Sequence, residues 1–240
     1  MVKEEYELIG GKYAHLSRND PLKTYVQYPG LIKLLGNVKG RKVLDIGCGD
    51  GFLLSRVAKK GAKVVGFDVS EKQIELANEN EKKLGLGMEF FCSDQFNFIY
   101  PGKFDLAFSN MVIFYAANFD ELVQFFKCAF NSLKSNGKFI SVVLNPDYKR
   151  FGELHYNRKV ILNGKKMRTE FFIDGKFSFS TDFYSFFSKQ EYEKAALKGG
   201  FSKIEWKSFK IEAKGIKELG KDFWRGYKSD PLYSVFVVKK

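Results

Sequence analysis

A doubly wound α/β architecture, with a mostly parallel seven-stranded sheet, is predicted for this 240-residue chain by three observations. Between Lys42 and Leu144, short apolar runs rich in valine, isoleucine and phenylalanine alternate with amphipathic stretches long enough for helices. The first run ends in Asp45-Ile46-Gly47-Cys48-Gly49-Asp50-Gly51, a glycine-rich turn leading straight into the apolar Phe52-Leu53-Leu54. After the fifth run, Asn163-Gly164 and Asp174-Gly175 separate extended segments, which marks antiparallel hairpins inserted between strand five and the following helix. Strands that alternate with helices imply a parallel sheet covered on both faces, because each crossover lays a helix on it.

The elements follow in order. Lys42 to Ile46 is the first strand and Gly51 to Lys60 the first helix, closed by Gly61. Lys63 to Phe67 is the second strand and delivers Asp68 at its carboxyl end. Ser70, with Gln73 three residues on, makes a capping box for a helix from Glu71 to Leu84, stopped by Gly85 and Gly87. Met88 to Cys92 and Phe104 to Ser109 are the third and fourth strands, Phe119 to Leu133 an amphipathic helix, and Lys138 to Leu144 the fifth strand. Lys159 to Leu162, Lys166 to Ile173 and Lys176 to Phe187 make the antiparallel insertion. A helix from Lys189 to Lys198, a sixth strand around Ile204 to Ile211 and a closing strand from Tyr233 to Val238 complete the sheet. A single domain over 1–240 is expected, with an N-terminal lid at 1–40, a ligand-binding core at 41–145, an antiparallel cap at 146–187 and a C-terminal completion at 188–240.

Ligands of such sheets lie at the carboxyl ends of the strands near the point where strand order reverses. That rule nominates Asp45, the glycine loop, Asp68, Asp94 and the segment from Ser109 to Tyr115. Glycines at 47, 49 and 51 let the backbone take positive φ and approach a small molecule closely, and the helix beyond them favours the negative part of a ligand. The spacing is neither the G-x-G-x-x-G of dinucleotide sites nor a phosphate loop ending in Gly-Lys-Ser/Thr. Asp45, ahead of the first glycine, would repel a pyrophosphate and welcome an ammonium or sulfonium group. Asp68 is placed to accept hydrogen bonds from ribose hydroxyls, and Asp94 to accept one from an adenine amino group.

The order D-x-G-x-G-x-G, Asp68, Asp94 and Phe104 to Tyr115 resembles the motifs of the class I, Rossmann-like S-adenosylmethionine-dependent methyltransferases. The resemblance covers about residues 40–145. It implies S-adenosylmethionine as cofactor and S-adenosylhomocysteine as product. The binding set it implies is Asp45, Gly47, Cys48, Gly49 and Phe52 of the first motif, Asp68, Val69 and Gln73 of the second, Asp94 and Gln95 of the third, and Asn110, Met111 and Tyr115 of the fourth. Tyr25, and with it Tyr28, is expected to reach over the cofactor from the N-terminal segment. Many relatives carry histidine where this chain has Phe114-Tyr115, which weakens the case for a histidine base in that loop. Tyr115, His155 and Tyr184 are the residues to inspect for a general base, none singled out by spacing. The Tyr-Pro-Gly-Leu run, the Gly-Phe after the first motif and the inserted hairpins are most similar to the toxoflavin-pathway N-methyltransferase type. The expected reaction is transfer of a methyl group to nitrogen or oxygen of a small aromatic or heterocyclic molecule. The alternatives are an RNA or protein methyltransferase and a non-catalytic S-adenosylmethionine-binding module.

Composition narrows the field further. Net charge is +12, but 33 of the 40 basic residues are lysine, scattered among aromatics and acids, and the excess lies mainly beyond residue 150. Bidentate phosphate recognition favours arginine, so a solvated lysine-rich surface is expected over a nucleic-acid footprint. Cys48, Cys92 and Cys128 form no C-x-x-C pair and only His15 and His155 are available, so neither a disulfide framework nor a metal site is expected. No apolar run approaches the roughly 20 residues that span a bilayer, and the charged start is not a secretory signal, so a cytoplasmic monomer or homodimer without membrane partners is expected. The aromatics of the insertion, from Phe171 to Phe187, are expected to wall a flat substrate in part and to pack the sheet in part.

Overall fold

The computed structural model describes residue 16 and residues 18–173, 175–183 and 185–240. A π-helical turn at Lys23–Gln27 runs into α1 (Tyr28–Leu35). The chain continues through β1 (Lys42–Ile46), α2 (Phe52–Ala58), β2 (Lys63–Asp68), α3 (Glu71–Leu84), β3 (Glu89–Cys92) and β4 (Phe104–Asn110). A 3₁₀ turn at Ile113–Tyr115 precedes α4 (Phe119–Ser132) and β5 (Leu133–Leu144). An antiparallel insertion follows, built from β6 (Leu154–His155), β7 (Arg158–Asn163), β8 (Lys166–Ile173) and β9 (Lys176–Phe183). Then come α5 (Lys189–Lys198), β10 (Glu205–Lys207), α6 (Ala213–Phe223) and β11 (Tyr233–Lys239).

The main sheet has seven strands in the order β10-β11-β5-β4-β1-β2-β3. Pairs β3–β2, β2–β1, β1–β4 and β4–β5 are parallel, and β11 runs antiparallel to both β5 and β10. Strand order therefore reverses between β1 and β4, and the carboxyl ends of those strands open the crevice where such sheets bind ligands. The sheet is buried on both faces: Leu44, Ala107, Phe108, Phe139, Ile140, Val142 and Phe236 have no exposed surface. Phe126 of α4 fills one face, its ring 5.7 Å from that of Phe236. The second sheet has four strands in the order β6-β7-β8-β9 and, as the Asn-Gly and Asp-Gly dipeptides predict, is a meander of tight hairpins.

Four boundaries differ from expectation. The last strand of the insertion ends at Phe183 rather than Phe187, because Ser185 leaves the sheet to donate to the Ala117 carbonyl and Phe187 turns into the core against Tyr192. The sixth strand shrinks to Glu205–Lys207; beyond it the chain seats Phe209 on Gly30, where a Cβ would lie 2.3 Å from the ring. β5 begins at Leu133, with an irregular register between the Phe104 and Leu106 pairings and the regular part from Lys138 onward. Helix α6 is absent from the expectation, since Gly215 and Gly220 lower its helix propensity. Gly215 is required there, because a Cβ would lie 2.7 Å from the Tyr25 side chain.

Candidate active site

The glycine loop connects β1 to α2 with Gly47, Gly49 and Gly51 all at positive φ (75°, 53° and 72°). A side chain at Gly47 would meet Val112, and one at Gly51 the Phe90 ring, so the loop is pressed against the segment after β4 and against β3. Four of its N–H groups are engaged within the protein. Gly47 and Cys48 donate to the Phe67 carbonyl, Gly49 donates to Asp68 at 2.9 Å, and Gly51 donates to the Cys48 carbonyl. Asp68 holds the loop to the start of α3, its other oxygen accepting from the Ser70 N–H at 3.1 Å. Carboxylate oxygens carry further lone pairs, so this anchoring and a ribose contact are compatible.

Asp45 is buried, with one oxygen unpartnered among the described residues. Burial first, and the neighbouring Asp68 charge second, push its carboxyl well above the ordinary range. Burial and the same carboxylates also push the Cys48 thiol up, so Cys48 is a neutral packing group, and a side chain at Gly66 would collide with it. Gln73, capped onto Ser70 through its N–H, sits beside Gly49 with its amide nitrogen buried and unpartnered. Asn110, at the end of β4, leaves its side-chain oxygen in the same condition. Met111 follows at φ 62°, a left-handed conformation rare outside glycine, held by its N–H to the Val142 carbonyl. Buried polar atoms without partners are uncommon in folded proteins. Two orphaned acceptors, Asp45 and Asn110, and one orphaned donor, Gln73, fit a ligand that carries both donors and acceptors.

The other predicted residues divide. Phe52 packs on Tyr28, with the Arg56 guanidinium 4.7 Å from its ring. Val69 precedes the Ser70 cap, its carbonyl facing the Cys92 thiol. Asp94 is turned into its own loop, where one oxygen accepts from the Phe96 and Asn97 backbone at 2.9 and 2.8 Å; Gln95 lines a separate open groove with Phe98 and Lys127. The Tyr25 hydroxyl donates to Glu218 of α6, and its ring packs edge-on against Trp224. His155 pairs with Glu153 at 2.9 Å outside the central cavity. Tyr184 and His15 lie outside the described residues. No cluster of metal-ligating side chains occurs among the described residues.

A narrow cavity of about 20 Å³, room for about one water, lies between the carboxyl edge of the main sheet and the second sheet. Met111, Phe114 and Tyr115 form one wall, and β7, β8 and β9 form the other through alternate residues. Register brings Arg158 opposite Phe171, Val160 opposite Thr169, and Thr169 opposite Thr181. The Tyr115 and Phe114 rings each pack on Phe183 with centroids 4.9 Å apart, which joins the two walls. Among the described residues of the expected aromatic wall, Phe171 and Phe183 line the cavity; Phe179 stacks behind Phe171 at 4.9 Å, and Phe177 is 58% exposed. Arg158, Lys23, Thr169 and Thr181 escaped sequence reasoning. The signal was available in the alternation Arg158-x-Val160 and Met167-x-Thr169-x-Phe171, which places a charge and hydroxyls on the inward face.

A methyltransferase domain family matches residues 37–190, nearly two thirds of the chain. The chain belongs to that family and is a class I S-adenosylmethionine-dependent methyltransferase. S-adenosylmethionine is its cofactor. The ubiquinone biosynthesis O-methyltransferase of Bradyrhizobium diazoefficiens is 30% identical over 148 residues, 59% of this chain and 57% of that protein. The chain spans 44% to 70% of the length of the curated relatives it matches. Solved S-adenosylmethionine-dependent methyltransferases from Mesorhizobium loti (TM-score 0.66, 18% identity, 89% and 97% of the two chains) and Clostridium acetobutylicum (0.65, 20%, 98% and 98%) share the fold. No helix among the described residues of this methyltransferase is long and apolar enough to cross a membrane.

Proposed function

We propose that this methyltransferase acts on nitrogen or oxygen of a small aromatic or heterocyclic molecule, as the toxoflavin-pathway type does. The observation that carries the reading is the cavity itself. Met111 and Tyr115, both placed in the cofactor set by their position after β4, are also walls of a pocket closed over by the second sheet. A recessed position under a covering sheet suits a small acceptor, for which the walls must part, whereas a polymer needs an open groove. The relatedness to ubiquinone biosynthesis O-methyltransferases, whose name specifies an oxygen acceptor, is consistent with this chemistry.

In this reading Asp45, Gln73 and Asn110 hold the polar end of the cofactor, and Asp68 its ribose. When bound, S-adenosylmethionine supplies a methyl group already activated on a sulfonium. The protein's task is then alignment more than proton transfer. The joined wall of Phe114, Tyr115 and Phe183 fixes the acceptor ring against Met111 and excludes water. Lost charge on the donor is matched by few fixed charges at the apolar wall, so charge-neutralising transfer is favoured there.

Calorimetric titration with S-adenosylmethionine and S-adenosylhomocysteine, followed by transfer of labelled methyl into heteroaromatic, phenolic and RNA acceptors, tests the reading. Micromolar cofactor binding with label in a small phenol or heterocycle is expected. Label entering only RNA or protein would overturn the acceptor assignment, and unchanged cofactor binding by Asp68→Ala would overturn the cofactor set.

A further inference from the structure

We infer that Gln27, in the N-terminal helical segment, is a further cofactor-binding residue, whose amide holds the amino-acid end of S-adenosylmethionine. This deepens the reading above and rests on its placing of that end at Asp45 and Asn110. Gln27 has no exposed surface, and neither its amide nitrogen nor its amide oxygen has a partner among the described residues. A buried amide is unfavourable unless something completes its hydrogen bonds. Gln27 closes the π-helical turn Lys23–Gln27, in which the Tyr28 N–H donates to the Lys23 carbonyl, and such turns are rare and frequent at functional sites.

Register brings this amide to the polar end of the site. Lys23, Gln27, Leu31 and Leu35 form one buried stripe along the π-helical turn and α1. The segment runs antiparallel to β5, since Lys23 lines the narrow cavity with Leu144, and further along the Leu34 carbonyl accepts from Lys138 at 2.7 Å. At a helical rise of about 1.5 Å, the step from Lys23 to Gln27 covers about 6 Å, which is about two strand residues and leads from Leu144 back to Val142. Lys138, Ile140, Val142 and Leu144 share the face of β5 that the segment covers, because side chains alternate along a strand. Val142 pairs with Asn110, and Ile140 with Phe108, which pairs in turn with Asp45. The Asn110 and Asp45 side chains therefore lie on that same face, each with an orphaned oxygen among the described residues. These two acceptors suit the ammonium of the methionine end. Its carboxylate needs donors, and four N–H groups of the glycine loop are already bonded within the protein. The Gln27 amide nitrogen supplies a donor from the opposite side, and its oxygen accepts from the ammonium.

The test compares calorimetric titrations with S-adenosylhomocysteine and with 5′-methylthioadenosine, which keeps the nucleoside and the sulfur but has no amino-acid end. Gln27→Met, close to glutamine in shape, is expected to weaken S-adenosylhomocysteine binding at least about tenfold, the scale of a hydrogen bond to a charged group. It should leave methylthioadenosine affinity unchanged and melt at the same or a higher temperature, since no intramolecular hydrogen bond is lost. Gln27→Asn keeps the amide but withdraws it by one carbon; it is expected to show the same selective loss and carries the test should the methionine variant fail to fold. Normal S-adenosylhomocysteine affinity in a folded variant overturns the inference. Equal weakening of both ligands, with a lowered melting temperature, marks a packing role and overturns it too, while the cofactor reading stands. Failure of the native protein to bind S-adenosylhomocysteine overturns the cofactor reading instead.

Discussion

Replacing Gly47 by alanine perturbs the glycine loop at the point where it meets the segment after β4. Two costs add. At φ 75° an alanine enters the left-handed region, at about 1–2 kcal/mol. Its Cβ would also lie 2.5 and 2.7 Å from the two Val112 methyl carbons, well inside ordinary contact, and relieving such overpacking costs about 1–3 kcal/mol. Val112→Ala removes those methyl groups, so in that background the glycine replacement carries mainly the dihedral cost, and the cycle isolates a coupling of about 1–3 kcal/mol. Urea denaturation of the four proteins measures it, and calorimetry measures S-adenosylmethionine affinity in parallel. Gly47→Ala is expected to lose at least about tenfold in affinity, the equivalent of 1.4 kcal/mol, with part restored in the double variant. Strictly additive stabilities within about 0.5 kcal/mol would refute the contact, and unaltered affinity in Gly47→Ala would refute the loop's role in holding the cofactor.

Four further outcomes follow from the same geometry. The raised pKa of Asp45 leaves it partly protonated at pH values between the ordinary carboxylate range and its elevated value; a cationic ligand draws it back down, so S-adenosylmethionine binding releases a proton and tightens as pH rises through that window. Calorimetry in buffers of different ionisation enthalpy should show the release in the native protein and none in Asp45→Asn; equal release in both excludes Asp45 as the source. Since the folded-state value is raised, the same group favours the unliganded fold below the ordinary carboxylate range and loses that contribution as pH climbs through the elevated value, which a pH series of urea melts of native protein against Asp45→Asn should resolve. Asp20→Asn strands the guanidinium of Arg158 in a site where both side chains are at most 5% exposed, and should cost about 3–5 kcal/mol by urea denaturation, less when combined with Arg158→Met. Phe126→Ala, which empties a fully buried site beside Phe139, Phe201 and Phe236, should cost about 3–5 kcal/mol and leave cofactor affinity unchanged.

What was legible in the sequence was whatever short-range pattern determines. The Ser70 cap, the positive-φ glycines and the hairpin dipeptides act over a few residues, and all appear where the chain predicts them. The parallel order of β1 to β5 follows from alternating strands and helices, because crossovers admit little else. Long-range pairing was not legible. Nothing adjacent to Tyr25 in the chain announces Glu218, and nothing beside Arg158 announces Asp20, 138 residues away. Asp94 shows the reverse problem: a motif position was readable, but competition from the Phe96 and Asn97 N–H groups for its oxygens depends on a local turn that the motif leaves open.

The N-terminal segment joins the glycine loop and the second sheet unequally. Arg18 reaches Asp50 in the glycine loop at 2.6 Å, while Asp20, two residues on, reaches Arg158 in the second sheet. The first pair has one partner 42% exposed, and such ion pairs contribute at most about 1 kcal/mol. The second is buried, and separating it strands two charges out of water. Asp20 is fixed further by accepting from the Leu22 N–H, which ties it to the turn that carries Lys23 into the cavity. The segment is thus anchored firmly to the second sheet and latched lightly to the glycine loop. Release at Arg18 detaches the segment from Asp50 at small energetic cost, with the Asp20–Arg158 pair held in place and the loop still fixed by its own hydrogen bonds to Phe67 and Asp68.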